Sequence, residues 1–385
     1  MKPKILHTMT WLAPGGGVDN NVYLTLRELR RDYECHLLVG AEIHHNPFRE
    51  LGDVRVIICP HMRRSIHLWD DLRSLLFLYR LIRRERYVLV HTHESKASLL
   101  TRVAARLAGC PAVIFGLHGV NFNDPHSRLR RWAYLGLERL TVPFSHVIVS
   151  VSRDAVDAYH QAGIGRGIPY RVIHSGVDLD QFRNPADRGK GTRQQRRRLG
   201  LEEDDLVLIN VGRFSPAKAQ RYTIEAFARL RRKHDGLRLL LVGEGEEMDA
   251  CRELARRLGT GDSVIFMGST RDVAGIFSLA DIHVLTSLRE GLPRVAVEAA
   301  LCGVPTVAFE VEGIREIINH GVSGAVVPRY DVDALCRRVE ELLEDHGKRR
   351  RYAAAAGKAA VEGWDHRRMV SDLRALYAEL QGAAS

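Results

Sequence analysis

The sequence predicts an α/β protein built from two Rossmann-like halves, on three observations. Short apolar runs alternate with amphipathic helical stretches almost throughout. The runs are too continuously rich in Val, Ile and Leu for one-faced sheets, as expected of parallel strands buried on both faces. A polar, basic stretch bearing Gly and Pro, RNPADRGKGTRQQRRRLGLEEDD at 183–205, breaks the alternation once, after which it resumes.

In the first half KILHTM, CHLLVG, VRVIICP, YVLVHTH, AVIFGLHG, HVIVSVS and YRVIHSG read as strands. Helical stretches at Val18–Arg31, Asp70–Arg86, Ser95–Leu107 and Ser127–Leu140 lie between them. In the second half LVLINVG, LRLLLVG, SVIFMG, IHVLTS and PTVAF repeat the pattern. Leu335, Val339, Leu342 and Leu343, then Met369, Leu373, Leu376 and Leu380, keep three-and-four spacing and predict two helices near the end. The expected division is a first domain over 1–182, a linker at 183–205, a second domain over 206–364 and a terminal helix at 365–385 packing back toward the first domain. Open α/β sheets bind ligands beyond the carboxyl ends of their strands. Two such sheets facing across a cleft would place a site between them.

Bulk properties narrow the function. Hydrophobic residues make up 45% and charged residues 27% of the 385, which reads as a soluble globular chain. Six scattered cysteines, with no Cys-x-x-Cys, argue against a disulfide framework or a zinc site and fit a reducing, cytoplasmic setting. No apolar run approaches the ~18 residues that span a bilayer, and the N-terminus turns polar and Gly-rich too soon for a signal peptide. The net charge of +10 asks for an anionic partner: nucleic acid, an anionic membrane surface or a phosphate-bearing substrate. No zinc-finger, RRM or heptad signature accompanies it, so nucleic acid is disfavoured as the partner.

Several loops offer chemistry. The first strand leads through Gly15, Gly16 and Gly17 into a helix, a geometry that brings backbone N–H groups to an anion. The dinucleotide fingerprint is incomplete, since Asn20 stands at its third glycine. In VGRFSPAKAQ a strand ends at Val211, and Gly212 opens a loop carrying Arg213 and Lys218, two cations suited to a diphosphate. LVGEGEE supplies another turn at Gly243, and Gly268 a third. SLREGLPRVAVEAALCGVPTVAF sets Glu290 on a Gly-Pro loop and Glu298 eight positions on, inside a helix whose first turn can hold Pro293. The two carboxylates can thus serve different parts of one elongated ligand. His91 and His93 alternate on a strand and share a face, with His44 and His45 elsewhere. With no third convergent ligand visible, they read as a polar strand end rather than a metal site.

Together these motifs resemble the retaining glycosyltransferases of family four, which have the GT-B fold. The resemblance rests on GGG at 15–17, HTHESKASLLTRVAARLAG at 91–109, HG at 118–119, SGVD at 175–178, VGRFSPAK at 211–218, VGEGEE at 242–247 and, most specifically, EGLPRVAVEAALCGVPTVA from Glu290, in the family's order. It implies transfer of a sugar from a nucleotide diphosphate sugar, UDP-linked before GDP-linked, to a glycan or lipid-linked acceptor, with no further cofactor and no metal. Glu290 would hold donor-sugar hydroxyls, His118 would contact the sugar, and Arg213 and Lys218 would bind the diphosphate. Glu298 would take the ribose, and Gly16 and Gly17 would close over the phosphates. Gly212, Gly243, Gly291 and Leu292 would line the donor, with the base near Gly268, Arg271 and Asp272. Two departures stand out. Many members read Glu-Gly-Phe-Gly-Leu-Pro where this chain has Glu290-Gly291-Leu292-Pro293-Arg294, and many carry an acidic-basic pair where it has Asp19-Asn20.

The helix at 68–86 mixes aromatics with arginines. Leu72, Leu76, Tyr79 and Arg83 trace one face, and Trp69, Arg73, Phe77, Arg80 and Arg84 a neighbouring one. That composition suits peripheral contact with the inner face of the cytoplasmic membrane, and equally a surface helix whose Arg stems cover apolar area. The competing readings are a nucleotide-sugar epimerase on the same fold and, from another class, a basic nucleic-acid-binding protein.

Overall fold

The computed structural model describes residues 2–12, 16–120, 122, 128–182 and 188–383. Gly15 of the glycine run, Ser127 and positions 183–187 of the polar stretch lie outside them. The chain forms two compact units, one from residues 1–176 with 366–385, the other from 177–365. The change of unit at Gly176 and Val177 precedes the polar stretch at 183–205. The described part of that stretch forms a helix, Arg188–Arg198, within the second unit, where Arg196 donates to the Leu279 carbonyl at 3.1 Å.

The first unit holds a sheet of seven described strands: β1 (Lys4–Leu12), β2 (Glu34–Ile43), β3 (Arg55–Ile58), β4 (Leu89–Thr92), β5 (Ala112–Leu117), β6 (Val147–Ser150) and β7 (Tyr170–Val172), in the order β3-β2-β1-β4-β5-β6-β7. All the described pairings are parallel. Alternate residues feed separate cores, which is why the strands read as unbroken apolar runs. Ile5, Met9, Leu37 and Val39 pack under the helices Gly17–Leu29 and His366–Gly382. Leu6, Leu38, Val90 and Val113 pack under Leu68–Glu85 and Ser95–Leu107. The terminal helix buries Met369, Leu373 and Leu376 of the stripe its spacing predicts, together with Val370 and Tyr377, within this first unit, and Leu380 is partly buried.

The second unit repeats the plan with β8 (Leu206–Val211), β9 (Leu237–Val242), β10 (Val264–Met267), β11 (Ile282–Leu285), β12 (Thr306–Phe309) and β13 (Gly324–Val327), in the order β10-β9-β8-β11-β12-β13. This is the doubly wound arrangement in which strand order reverses beside the first strand. Strand β13, GAVV, is an element the apolar-run reading passes over. Its Gly324 lies so close to β12 that a Cβ there would stand 2.5 Å from the Thr306 carbonyl oxygen. Leu208, Leu239, Leu241 and Val284 face the helices Gln220–Arg231 and Val332–Glu344. Val207, Ile209 and Leu240 face Ile276, Phe277 and Ala299 on the other side.

Candidate active site

In the second unit the order reverses between β8 and β11, so the crevice lies off Val211 and Leu285. Two loops meet there and are tied by buried polar side chains. Asn210 Nδ2 donates to the Val284 carbonyl at 2.8 Å, and the Thr286 hydroxyl to the Ala219 carbonyl at 3.1 Å. The backbone N–H of Leu288 donates to the Ala217 carbonyl at 2.8 Å. Gln220 Nε2 donates to the carbonyls of Gly212 and Arg213, fixing the turn that carries the cations.

These ties bring Lys218 and Glu290 together, with Nζ 2.5 Å from Oε1. Arg213 instead reaches Glu246, 3.2 Å away. The two cations of one loop therefore meet two different carboxylates. Gly243 is required by close approach: it has φ +136, and a Cβ would lie 2.2 Å from the Gly212 carbonyl oxygen. Gly268 follows β10, where Glu244 Oε1 accepts from the Ser269 N–H at 3.3 Å. Arg271 is exposed, and Asp272 caps Val273–Phe277 through the Gly275 N–H at 2.8 Å.

Pro293 stands just before the helix Arg294–Leu301 rather than within its first turn. The missing N–H therefore costs the helix nothing, since the first turn's donors have no intrahelical acceptor. Leu292 is buried, and its carbonyl accepts from the Arg294 N–H at 2.9 Å. Gly291 is crossed closely by Gly313 (φ +75), whose Cβ would meet the Gly291 carbonyl oxygen at 2.9 Å. Glu298 sits one helical turn beyond Arg294, with Oε1 3.5 Å from the guanidinium. Burial raises the Glu298 pKa, opposed by the charges of Arg294 and Lys218. Ala299, Ala300 and Val304 are buried packing.

In the first unit the order reverses between β1 and β4. A pocket of about 370 Å³ opens there, lined by Thr10, Trp11, Arg64, Glu94, His118 and Tyr134 among others. Gly16 precedes the helix Gly17–Leu29, and a Cβ on it would meet the Asp19 carboxylate at 2.8 Å. Arg64 lies 4.2 Å over the Trp11 ring. Glu94 has φ +60, uncommon for a residue other than Gly, and its Oε2 accepts from the Thr10 N–H at 2.7 Å. Burial pushes its pKa up to about 7.

Behind His118 lies a row of buried imidazoles. His7 and His91 pair across β1 and β4, and His93 shares their face. Nitrogens of His7, His91 and His93 all lie within 4.8 Å of one another, so His7 is the third convergent histidine that the sequence does not reveal. Most of these nitrogens, however, face one another head-on or face Tyr377 in hydrogen bonds of 2.7 to 3.2 Å. Burial lowers the His7 pKa to about 3 and that of His118 to about 4, and holds His91 and His93 well below the ordinary value. The row is therefore uncharged at neutral pH.

Sequence reasoning missed His7, Glu94 and Tyr377. The first two carry a signal: His7 interrupts an apolar strand, and Glu94 follows one directly. Tyr377 looks like any aromatic on an amphipathic helix.

Two family profiles match the chain: Glycosyltransferase Family 4 over residues 15–181 and glycosyl transferases group 1 over residues 191–359. The chain belongs to glycosyltransferase family four. The enzyme is 28% identical over 296 residues to the UDP-Gal:alpha-D-GlcNAc-diphosphoundecaprenol alpha-1,3-galactosyltransferase of Escherichia coli, covering 76% of each chain. The glycosyltransferase superposes on Anabaena Alr3699/HepE in complex with UDP-glucose with a TM-score of 0.82 at 22% identity, over 98% of this chain and 99% of that one. It superposes on WaaG, a glycosyltransferase involved in lipopolysaccharide biosynthesis, with a TM-score of 0.79 at 16% identity, over 96% and 98%. Its two parallel-sheet α/β units are those of the GT-B fold.

Proposed function

We propose that the enzyme transfers a sugar from a nucleotide diphosphate sugar, UDP-linked in preference to GDP-linked, to a hydroxyl of a glycan or lipid-linked acceptor, retaining the anomeric configuration. The observation that carries this reading is the Lys218–Glu290 pair at the carboxyl ends of β8 and β11, with Glu298 inside the short helix that follows. Glu290 holds hydroxyls of the donor sugar and Glu298 accepts from the ribose. Lys218 and Arg213 carry the negative charge that develops on the departing diphosphate, where fixed cations act most strongly. Gly16 and Gly17 approach the phosphates. Gly212, Gly243, Gly291 and Leu292 line the donor, and Gly268 and Arg271 flank the base. His118 contacts the sugar.

The transition state has oxocarbenium character, as in glycoside chemistry. The leaving phosphate oxygen takes the acceptor hydroxyl's proton on the face it vacates, so the scheme needs neither a separate base nor a metal. The E. coli relative acts on a diphosphoundecaprenol-linked sugar, which supports a lipid-linked acceptor and a place in cell-surface polysaccharide or lipopolysaccharide synthesis. Among the described residues no helix is long and apolar enough to cross a membrane. We assign the enzyme to the cytoplasm, peripheral on the inner face of its membrane. In support, Ile66 and Trp69 are 83% and 75% exposed, and Leu72, Arg73, Leu76 and Arg80 continue an exposed stripe.

A thermal-shift panel of nucleotides and nucleotide sugars tests the reading, because a specific ligand stabilises the folded state by mass action. UDP and one UDP-sugar should raise the midpoint. A panel in which no nucleotide diphosphate responds would remove the proposal, and an inverted product anomer by NMR would remove the mechanism.

A further inference from the structure

The buried imidazoles form one unbroken line to the pocket. His118 Nε2 is 2.7 Å from His93 Nδ1, and His93 Nε2 is 3.0 Å from His7 Nδ1. His7 Nε2 is 3.2 Å from the Tyr377 hydroxyl, which lies 2.7 Å from His91 Nδ1. His91 Nε2 is buried without a hydrogen-bond partner among the described residues. It faces Gly116, where a Cβ would come within 3.1 Å of it.

A neutral imidazole has one donor nitrogen and one acceptor nitrogen, and a phenol has one proton. With the phenol proton used within the line, so that no buried donor is left unpaired, the line can run in only two directions. If Tyr377 donates to His91, then His7, His93 and His118 each donate from Nε2, and His91 must carry its proton on Nε2, where no described residue accepts it. If Tyr377 donates to His7, the protons stand on Nδ1 of His7, His93 and His118, and His91 donates from Nδ1 to the Tyr377 oxygen. The unpartnered His91 Nε2 is then a bare acceptor. Buried N–H groups left without an acceptor are rarer than acceptors left without a donor.

We propose that the line runs from Tyr377 toward the pocket, so that all four histidines are Nδ1–H tautomers and His118 presents a hydrogen-bond donor. His93 and His7 are positioning residues that set the tautomer of His118, and Tyr377, on the terminal helix, supplies the fixed end. His118 then recognises an oxygen that accepts a hydrogen bond, such as a sugar hydroxyl or ring oxygen, and takes no proton from the acceptor. That consequence rests on the reading of His118 as a sugar contact; the direction of the line does not. The depressed basicity of the buried rings agrees with a neutral network.

Long-range ¹⁵N–¹H correlation on the full chain labelled with ¹⁵N-histidine reads each tautomer without any substrate. Single-residue variants assign the signals. The expected spectrum shows Nδ1–H at His7, His91, His93 and His118. Nε2–H at His118, or coordination shifts at His7, His91 and His93 on adding zinc, would overturn the proposal, since a metal would take nitrogens the line uses. His93→Phe should release His118 into mixed tautomers. His93→Gln, whose amide N–H can donate to His118 Nε2, should restore the single one. Nucleotide release from the responding donor should fall about tenfold in kcat for His93→Phe and recover in His93→Gln, with donor KM unchanged. An unaltered His118 tautomer in folded His93→Phe contradicts the proposal, and if that variant does not fold, the wild-type spectrum alone decides. Failure of sugar transfer with the Nδ1–H pattern intact would refute the functional reading and leave the line standing.

Discussion

Lys218 Nζ and Glu290 Oε1 stand 2.5 Å apart although 72 residues separate them in the chain. One hangs from β8 and the other from β11, adjacent strands on either side of the reversal in strand order. Each group holds the other in the crevice, so the cation assigned to the diphosphate and the carboxylate assigned to the sugar are aligned before a donor arrives.

Groups that act as a unit lose their effect together. Lys218→Met and Glu290→Gln should each lower kcat/KM for nucleotide-sugar turnover by about 10²-fold or more, as when a preorganised charge is removed. The double variant should be little worse than either single one. Steady-state kinetics on the four proteins checks this, and fully additive losses would show that the pair does not act together.

Acid should weaken the first unit. The folded pKa values of His7 and His118, about 3 and 4, lie below the ordinary 6.5, and those of His91 and His93 lie well below it. Below pH 6.5 the unfolded chain binds protons that the native state refuses, so stability is full above 6.5 and falls as pH drops. Each histidine contributes about 1.4 kcal/mol per pH unit. Glu94, raised from 4.5 to about 7, works in the opposite direction between those values and offsets one histidine. The net sign is loss. Calorimetric melts should show a midpoint that falls between about pH 6.5 and pH 5, and a midpoint flat over that range would contradict the buried neutral network.

The exposed stripe on Leu68–Glu85 predicts salt-sensitive attachment to anionic lipid. At low salt the enzyme should sediment with vesicles containing anionic phospholipid and stay in solution with neutral ones. Trp69→Ser combined with Leu72→Ser should abolish sedimentation while preserving nucleotide binding. Equal sedimentation of the variant would place the contact elsewhere.

Much of this was legible in the sequence for identifiable reasons. Buried parallel strands write themselves as apolar runs, and twelve of the thirteen described strands stand on such runs. The exception, β13, is four residues long and opens on a glycine required by backbone contact with β12. Lys218 and Glu290 stood out as charges on loops at strand ends and Glu298 as a carboxylate inside an apolar helix, and only the resemblance to the family gave them roles. The pairing of Lys218 with Glu290 was not visible, since it depends on the strand order that makes β8 and β11 neighbours. The His7–Tyr377 end of the imidazole row joins residues 370 apart, and Tyr377 keeps an ordinary helical spacing, so nothing local marks it. The exposed stripe on this helix, Leu68–Glu85, was seen only in part. Phe77 and Tyr79, which the helical wheel puts on two outward faces, are half-buried against the core beside Leu78 and Leu81.

The central claim is that Glu290 serves the sugar and Glu298 the nucleotide. Calorimetric titration of UDP into the wild-type enzyme, Glu290→Ala and Glu298→Ala tests it most directly. The account predicts that UDP binds the wild type and Glu290→Ala with similar affinity and binds Glu298→Ala at least about tenfold more weakly, a loss typical of a hydrogen bond to a charged group. UDP binding undiminished in Glu298→Ala, or absent from the wild type, would contradict it.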